Sequence, residues 1–319
     1  MIKILANDGI EETGKALLEK AGFVVLTENV AQENLADYIN QQGVEVLLVR
    51  SATKVKKDII DACKKIRLIG RGGVGLDNID VDYAKEMGVT VVNTPAASSR
   101  SVAELIFAHL YGMMRGLHDS NRKMPDADRN LFKELKKKYS KGTELKGKTI
   151  GIIGFGKIGQ EVAAIAVGNG MNVLAFDPYI PAATIAFEIF GLGKVEVKIK
   201  TVAMEELLQN SDAITLHVPF TGGPLLTKDE FSKMKKGVYV INTSRGESIK
   251  EDDLIAALDS GLVAGAGLDV FVNEPHVNPV LLKHPKVSLS PHIGAATLEA
   301  QERIGIEMAE KIIAFLNKT

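Results

Sequence analysis

Short β-prone apolar runs alternate with stretches of helical periodicity along almost the whole chain. Up to about Pro95 the runs fall at 2–6, 23–26, 44–49, 68–70 and 89–92, with polar-apolar helical segments between them. That alternation predicts parallel βαβ units, because a parallel crossover needs a helix to return the chain. A long helix follows, opened by Ser98, Ser99 and Arg100, with Val102, Leu105, Ile106, His109, Leu110 and Met113 at i, i+3, i+4 spacing. Residues 117–148 are rich in lysine and poor in apolar side chains, the pattern of a solvated loop and helix. The alternation then resumes, with strands predicted at 149–153, 172–176, 195–199, 213–218, 238–242 and 263–268 and helices at 158–167, 203–209 and 251–260. A last apolar-periodic helix, 295–316, is expected to pack back on the first set of strands. The fold class is α/β with two doubly wound parallel-sheet domains, and no repeat appears beyond them.

The densest signal lies at 148–177. A β-prone run leads into Gly154, Gly156 and Gly159 in G-x-G-x-x-G spacing, and the predicted helix starts inside that turn. The first glycine permits a sharp turn, the second lets a pyrophosphate approach the backbone without meeting a Cβ, and the third lets helix and strand pack closely. The free N–H groups and positive dipole end of the helix then face the phosphates. The next strand delivers Asp177 at its end, where a carboxylate can accept from the ribose hydroxyls of an adenosine and repel a 2′-phosphate. NAD rather than NADP is therefore the expected cofactor, with Phe155, Lys157 and Ile158 in the same turn. A bare glycine motif occurs by chance in many loops; strand, helix and acid together make it specific. Asp177 before Pro178 is also what an ordinary turn would show.

Composition narrows the partners. With 319 residues, 45% hydrophobic and 25% charged, the chain has the length and balance of two ordinary globular domains. A net charge of −1 points to neither nucleic acid nor a membrane surface, and no apolar run reaches the roughly 18 residues a membrane span needs. The N-terminal MIKILAND reads as a first strand and lacks the basic start and cleavage site of a signal peptide. The single cysteine, Cys63, allows no internal disulfide and fits a reducing cytoplasm, as a packed thiol in a helical stretch. No metal site is expected.

Residues just past the strand ends carry the remaining chemistry. Arg50, Ser51, Ala52, Thr53 and Lys54 follow the third early strand; Arg71, Gly72, Gly73, Val74 and Gly75 follow the fourth. Two basic segments and a glycine loop at one sheet edge make a candidate anion pocket, with turn glycines and solvated charges as the plainer alternative. Late in the chain, INTSRG (241–246), NEP (273–275) and SPHIGAAT (290–297) end strands or open loops. Hydride transfer to a 2-keto acid needs a cation for the carboxylate and carbonyl oxygen, a proton donor for the developing alkoxide, and a group that holds that donor charged. Arg245, His292 and Glu274 offer one candidate each. A guanidinium fork grips a carboxylate with two hydrogen bonds, and an imidazole titrates near neutral pH. A carboxylate beside that ring favours its charged form and fixes which nitrogen faces the substrate. Singly, each has a bland reading as a surface ion pair, a loop histidine or a turn residue; jointly, on a fold that binds NAD, those readings lose weight. Of the other histidines, His217 ends a strand in LHVP and can line the cofactor through its backbone. His109 sits on an apolar helix face as a core histidine, and His118, His276 and His284 read as loop or surface residues.

NTP (93–95), SVAEL (101–105), GIIGFGKIG, the acid of FDPY, HVP, NTSRG, GLDVF (267–271), NEP and PHIGAAT occur in the order found in the D-2-hydroxyacid dehydrogenases, and essentially the whole chain resembles that family. VRSATKV (49–55), the GRGGVGLDNID loop and the ending PHIGAATLEAQERIG look most like its D-3-phosphoglycerate dehydrogenase branch. The resemblance implies a flavodoxin-like substrate-binding domain, 1–98 plus 294–319, and a Rossmann NAD-binding domain, 99–293, with NAD in the cleft between them. It implies that Arg245 binds the substrate carboxylate and keto oxygen, that His292 is the acid-base and that Glu274 tunes it. His217, Val218, Pro219, Thr243, Ser244 and Gly294 then line the cofactor with Arg245 and His292, and Asp269 lies near the nicotinamide carboxamide. Arg50, Ser51, Arg71, Gly73, Val74 and Gly75 hold the substrate's carboxylate or phosphate. The family commonly forms homodimers through its cofactor domains, or tetramers, and the basic arm at 136–141 would reach towards a neighbouring site.

The activity so implied is NAD-dependent oxidation of 3-phospho-D-glycerate to 3-phosphohydroxypyruvate, the entry step of serine synthesis. Glycerate or hydroxypyruvate, glyoxylate and lactate are the alternatives within the family; formate is disfavoured because those relatives carry glutamine where Glu274 stands. A reading from another class is an NAD-sensing binding protein like the family's co-repressors, which keep the same three residues but carry disordered tails. Two departures stand out. Thr221-Gly222-Gly223-Pro224 replaces the polar run usual after HVP, and the sequence ends soon after PHIGAAT. The C-terminal regulatory domain of longer relatives, and serine feedback through it, are therefore not expected.

Overall fold

In the computed structural model, which describes residues 1–317, the early apolar runs become five parallel strands. They are β1 (Lys3–Ala6), β2 (Val24–Leu26), β3 (Val46–Val49), β4 (Leu68–Arg71) and β5 (Thr90–Asn93), hydrogen-bonded in the order β2-β1-β3-β4-β5. This is the flavodoxin-like order. Helices α1 (Glu12–Lys20), α2 (Leu35–Gln42), α3 (Lys57–Ala62) and α4 (Val81–Glu86) carry the crossovers. Alternate strand residues serve opposite faces. Leu5, Leu47 and Ile69 pack with Leu35, Ile39 and Ile59, while Ile4, Val46 and Leu68 face Leu18, Met308 and Ile312. All four residues of β3 are buried, as a strand covered on both sides must be.

The next helix, α5 (Ser99–Met114), leads into α6 (Leu117–Lys123) and α7 (Arg129–Lys138). Asp119 accepts from Lys123, Lys138 and Tyr139. Burial alone would raise the Asp119 carboxyl, but these three partners hold it well below the usual carboxylate range. Part of the lysine-rich arm is thus folded onto its own helices, with Lys136 and Lys137 left exposed.

A second parallel sheet is built from β6 (Thr149–Ile153), β7 (Asn172–Phe176), β10 (Ala213–Leu216), β11 (Val238–Asn242), β12 (Val263–Leu268) and β13 (Val287–Leu289), in the order β13-β12-β11-β10-β6-β7. Its helices are α8 (Lys157–Gly168), α9 (Met204–Asn210), α10 (Lys228–Ser232), α11 (Glu251–Asp259) and α12 (Pro279–Lys283). On one face Ala103, Ile106 and Leu110 of α5 and Val162, Ala163 and Ala166 of α8 meet Ile150 and Ile152; on the other Ile153, Ile214 and Val240 meet Leu207, Leu254 and Leu258. The last described helix, α13 (Leu298–Leu316), returns to the first sheet. A Cβ on Gly14 of α1 would lie 2.5 Å from the carbonyl oxygen of Gly305, so the two helices cross backbone to backbone. The molecule divides into one unit of Met1–Ser99 with the segment from Ala295, and another of Arg100–Gly294. Among the described residues no helix is long and apolar enough to cross a membrane.

One strand expectation is overturned. Residues 195–199 do not join the parallel sheet; they lie in β9 (Gly193–Lys200), antiparallel to β8 (Ala182–Ile189), and these two make a sheet of their own. The physical reason is in the pattern KVEVKIK: a parallel strand is buried on both faces and reads as a continuous apolar run, whereas strict alternation with charges marks a hairpin with one wet face. Ile185 and Ile199 on the inner face join the core beneath, and the tip exposes Phe190 fully. Beyond β7, among the described residues, the parallel sheet is extended by a single bridge, Ala175 to Thr201.

Candidate active site

β6 ends at Ile153 and the chain turns through Gly154 at φ +94°, where an added Cβ would lie 2.7 Å from the His217 carbonyl oxygen. Only glycine combines that dihedral with that approach. Gly159 packs still closer, its Cβ position 2.2 Å from the Gly154 carbonyl oxygen, while Gly156 faces open space. The turn is therefore tight on its protein side and open at the N-terminus of α8. The Phe155 side chain is buried in the core and only its backbone faces the turn, while Ile158 is half-buried and Lys157 exposed.

Asp177, at the end of β7, ties this turn to the next. Its Oδ2 accepts from Phe155 N at 2.8 Å, and its Oδ1 from Tyr179 N at 2.9 Å and Ile180 N at 3.1 Å. The turn thus takes three of the carboxylate's four lone-pair sites and leaves about one for a further donor. Val218 packs against Gly154, and Pro219 is exposed. Among the described residues, His217 Nδ1 beside this turn and Thr243 Oγ1 after β11 are buried without a partner. Burial pushes the His217 imidazole down to about 3, so the ring is neutral.

The loop after β11 is organised by Asn242. Its Oδ1 accepts from Ser244 N at 3.1 Å and Ser244 Oγ at 2.9 Å, and its Nδ2 donates to Arg245 O at 2.8 Å. The Arg245 guanidinium is steadied by donation from Nη1 to Ser244 O at 2.6 Å. Gly246 has no room for a side chain, since its Cβ would lie 2.1 Å from the Phe271 carbonyl carbon, so this loop lies against the one carrying Glu274. There Glu274 Oε1 accepts from Phe271 N at 2.9 Å and Oε2 pairs with His292 Nδ1 at 2.8 Å. Nδ1 carries the proton to that carboxylate, which leaves Nε2 facing outward on a side chain 53% exposed.

His292 stands at φ +56°, a left-handed conformation for a residue with a Cβ. Asp269, buried at the end of β12, fixes the two residues after it, accepting from Ile293 N at 2.9 Å and Gly294 N at 2.8 Å. Hydrogen bonds to a charged group contribute about 1.5–3 kcal/mol each, against roughly 1–2 kcal/mol for the left-handed backbone. The pins outweigh the strain.

The remaining predicted site residues belong to the first unit. The Arg50 to Thr53 loop hangs from Asp8, whose Oδ2 accepts from Arg50 N at 2.6 Å and Thr53 N at 3.1 Å and whose Oδ1 accepts from Thr53 Oγ1 at 2.5 Å. Asn78 Nδ2 donates to Arg50 O at 2.9 Å and Thr53 O at 2.7 Å; Ser51 is exposed on this loop. Gly73 has φ +139°, and its Cβ position lies 2.0 Å from Arg71 Nη1, so the guanidinium crosses space that a side chain would fill. Thr94 Oγ1 accepts from Gly73 N at 2.8 Å, and Asn93 Nδ2 donates to Val74 O at 2.7 Å. Gly75 follows Val74, which is exposed. Asp8, Asn78, Asn93 and Asn242 were not singled out in the sequence as supports. Each follows a strand or opens a turn, and short carboxylates and amides at such places commonly bond nearby backbone.

Residues 107–294 match the family "D-isomer specific 2-hydroxyacid dehydrogenase, NAD binding domain". The chain belongs to that family of dehydrogenases. It is 41% identical over 316 residues to a hydroxypyruvate reductase of Thermotoga maritima, covering 97% of both chains. It is 41% identical over 315 residues to a D-3-phosphoglycerate dehydrogenase of Methanocaldococcus jannaschii, covering 98% of this chain but 57% of that one. The chain therefore spans little more than half the length of that relative. Among solved structures, a glyoxylate reductase from Paecilomyes thermophila superposes with a TM-score of 0.82 at 29% identity, covering 100% of this chain and 96% of the other. As a member, this dehydrogenase is an NAD-dependent oxidoreductase. Its own residues fit a dinucleotide: Gly156 opens onto free space at the N-terminus of α8, and His217, whose Nδ1 has no partner, lies against Gly154 of the same turn.

Other histidines of the dehydrogenase fall elsewhere. His118 lies near the carbonyl oxygens of Gly112 and Pro285, each at 3.3 Å, and His276 is exposed. His284 corrects its surface reading: it caps α12, is buried, and lies 3.4 Å from Asp259. Burial likewise pushes the packed Cys63 thiol up to about 11.

Proposed function

We propose that this dehydrogenase oxidises 3-phospho-D-glycerate to 3-phosphohydroxypyruvate with NAD, the entry step of serine synthesis. The observation that carries the choice of a phosphorylated acid is the loop bearing Arg50, clamped by Asp8 and Asn78 and followed on the neighbouring strand by Arg71. Arg245 alone suffices for a carboxylate; a second fixed arginine loop suits a second anion. Ser51, Gly73, Val74 and Gly75 would share that anion through hydroxyl and backbone groups.

In this reading Arg245 binds the carboxylate and polarises the oxygen on C2. His292 takes the hydroxyl proton on Nε2 during oxidation and returns one during reduction, while Glu274 holds Nδ1–H and stabilises the charged ring. NAD, when bound, supplies the hydride acceptor. The glycine turn, His217, Val218, Pro219, Thr243 and Ser244 hold it, and Asp269 and Gly294 lie by its nicotinamide end.

A second reading is supported by the full-length match to a hydroxypyruvate reductase: glycerate and hydroxypyruvate would then be the pair. Initial rates on 3-phosphoglycerate, glycerate and lactate separate the two. A kcat/KM at least tenfold higher on the phosphorylated acid is expected; the reverse order transfers the assignment to glycerate.

Removing the charge at Asp177 should relax cofactor choice. Like charges brought together cost several kcal/mol, so Asp177→Asn, which keeps an acceptor for the turn, should reduce the preference for NAD over NADP at least about tenfold. An unchanged ratio of kcat/KM for the two cofactors would remove the carboxylate from ribose recognition. The reading also places the protein in the cytoplasm, where its one thiol stays reduced, as a homodimer or tetramer joined through the NAD-binding units, which sedimentation would check.

A further inference from the structure

We infer that His109 is a positioning residue for proton transfer: from α5 it holds, through Ser288 and Ser290, the loop that carries His292. The inference rests on the reading of His292 as the acid-base. Nothing in the known chemistry of the site calls for a histidine in the middle of this helix, and the sequence pattern gives it only as one more position on an apolar face.

The contacts form a continuous chain. His109 Nδ1 lies 2.8 Å from Ser288 Oγ and His109 Nε2 lies 2.9 Å from Ser290 Oγ. Ser290 Oγ donates to Asp269 Oδ1 at 2.6 Å, and Asp269 in turn pins Ile293 N and Gly294 N. Two turns earlier on the same face of α5, Ser101 Oγ donates to Gly294 O at 2.7 Å. The helix therefore grips both ends of the segment in which His292 stands at φ +56°. His109, Ser101, Ser288, Ser290 and Asp269 are all buried.

Counting protons fixes the direction of every bond. Asp269 only accepts, so the single hydroxyl hydrogen of Ser290 points to it. His109 Nε2 must then be the donor to Ser290 Oγ, and the neutral ring accepts from Ser288 at Nδ1. Burial holds the His109 imidazole below the usual histidine range, against the pull of Asp269 and with that of His118. β12 leaves room for the ring only because residue 267 is glycine, whose Cβ would lie 2.8 Å from His109 Cβ.

A leucine here would pack against the surrounding apolar side chains without desolvating an imidazole. What it would lose is the fixed orientation of Ser290, hence of Asp269, hence of the two peptides after His292. An unusual backbone conformation persists only where its surroundings over-determine it, and small misplacement of a catalytic group lowers turnover steeply.

The test uses His109→Leu, His109→Gln, Ser290→Ala and Ser101→Ala in the full chain, on whichever 2-hydroxy acid the native enzyme oxidises best, with the C2-deuterated substrate alongside. In His109→Leu, kcat should fall about tenfold while KM and NADH affinity stay within about twofold, and the deuterium isotope effect on kcat should rise as the chemical step becomes limiting. His109→Gln, which keeps a donor, should recover most of the loss, and Ser290→Ala should reproduce it. Wild-type kcat and isotope effect in His109→Leu overturn the inference. So does a loss of kcat that follows NADH binding and melting temperature down together, since that is packing alone. If His109→Leu fails to fold, Ser290→Ala and Ser101→Ala decide the matter on the same readouts. Wild-type turnover in His292→Asn would instead sink the acid-base reading itself, whatever the His109 variants do.

Discussion

An enzyme carrying His292→Asn is expected to turn over its 2-hydroxy acid about 10² to 10⁴ times more slowly than the native protein. The size follows from what the imidazole alone supplies. Its Nδ1–H is committed to Glu274 at 2.8 Å, which leaves Nε2 for the proton in the proposed mechanism. Asparagine fits the space and can still donate to Glu274, but its amide neither accepts a proton nor carries positive charge near neutral pH. Since the proposed mechanism has the glycine turn hold most of the dinucleotide, NADH affinity should fall far less than turnover, and a fluorescence titration alongside single-turnover rates separates the two effects. Near-native rates in that variant would take His292 out of the mechanism.

The second large effect is expected at Arg245. Asn242 shapes its loop and Ser244 O holds one end of its guanidinium, so the fork is aligned before substrate arrives. Removing a preorganised donor of this kind costs about 10²–10³ in rate, and Arg245→Gln should lose at least that much in kcat/KM at saturating NAD. Arg245→Lys should recover little, because an ammonium group is a point charge and cannot present two parallel N–H groups to a carboxylate. If the lysine variant came within threefold of native kcat/KM, bidentate recognition would be wrong and a simple positive charge would suffice.

Much of this architecture is legible in linear order because its causes are local. A β-prone run, three glycines and an acid one βα unit later specify the turn at 154–159, and the matching dihedral at Gly154 and close approach at Gly159 follow from the same few residues. Strands buried on both faces announced themselves as apolar runs. Residues 195–199 misled because they were counted as one more strand of the parallel sheet although their alternation with charges marks a strand with one wet face, whose partner lies a few residues earlier in a hairpin. β13, only three residues long, carried too little pattern to be seen.

By itself, then, the sequence determined the two wound sheets and the glycine turn and brought forward Arg245, Glu274 and His292 as candidates, since short-range propensity, periodicity and side-chain chemistry are written residue by residue. Tertiary structure decided which groups hold those residues in place. Asp8 beneath the Arg50 loop, Asn242 within the Arg245 turn, and Asp269 with Ser290 and His109 behind His292 form bonds whose partners mostly lie far apart in the chain. A hydrogen bond between distant residues leaves no period and no spacing to read, and exists only once packing has brought donor and acceptor within reach of each other.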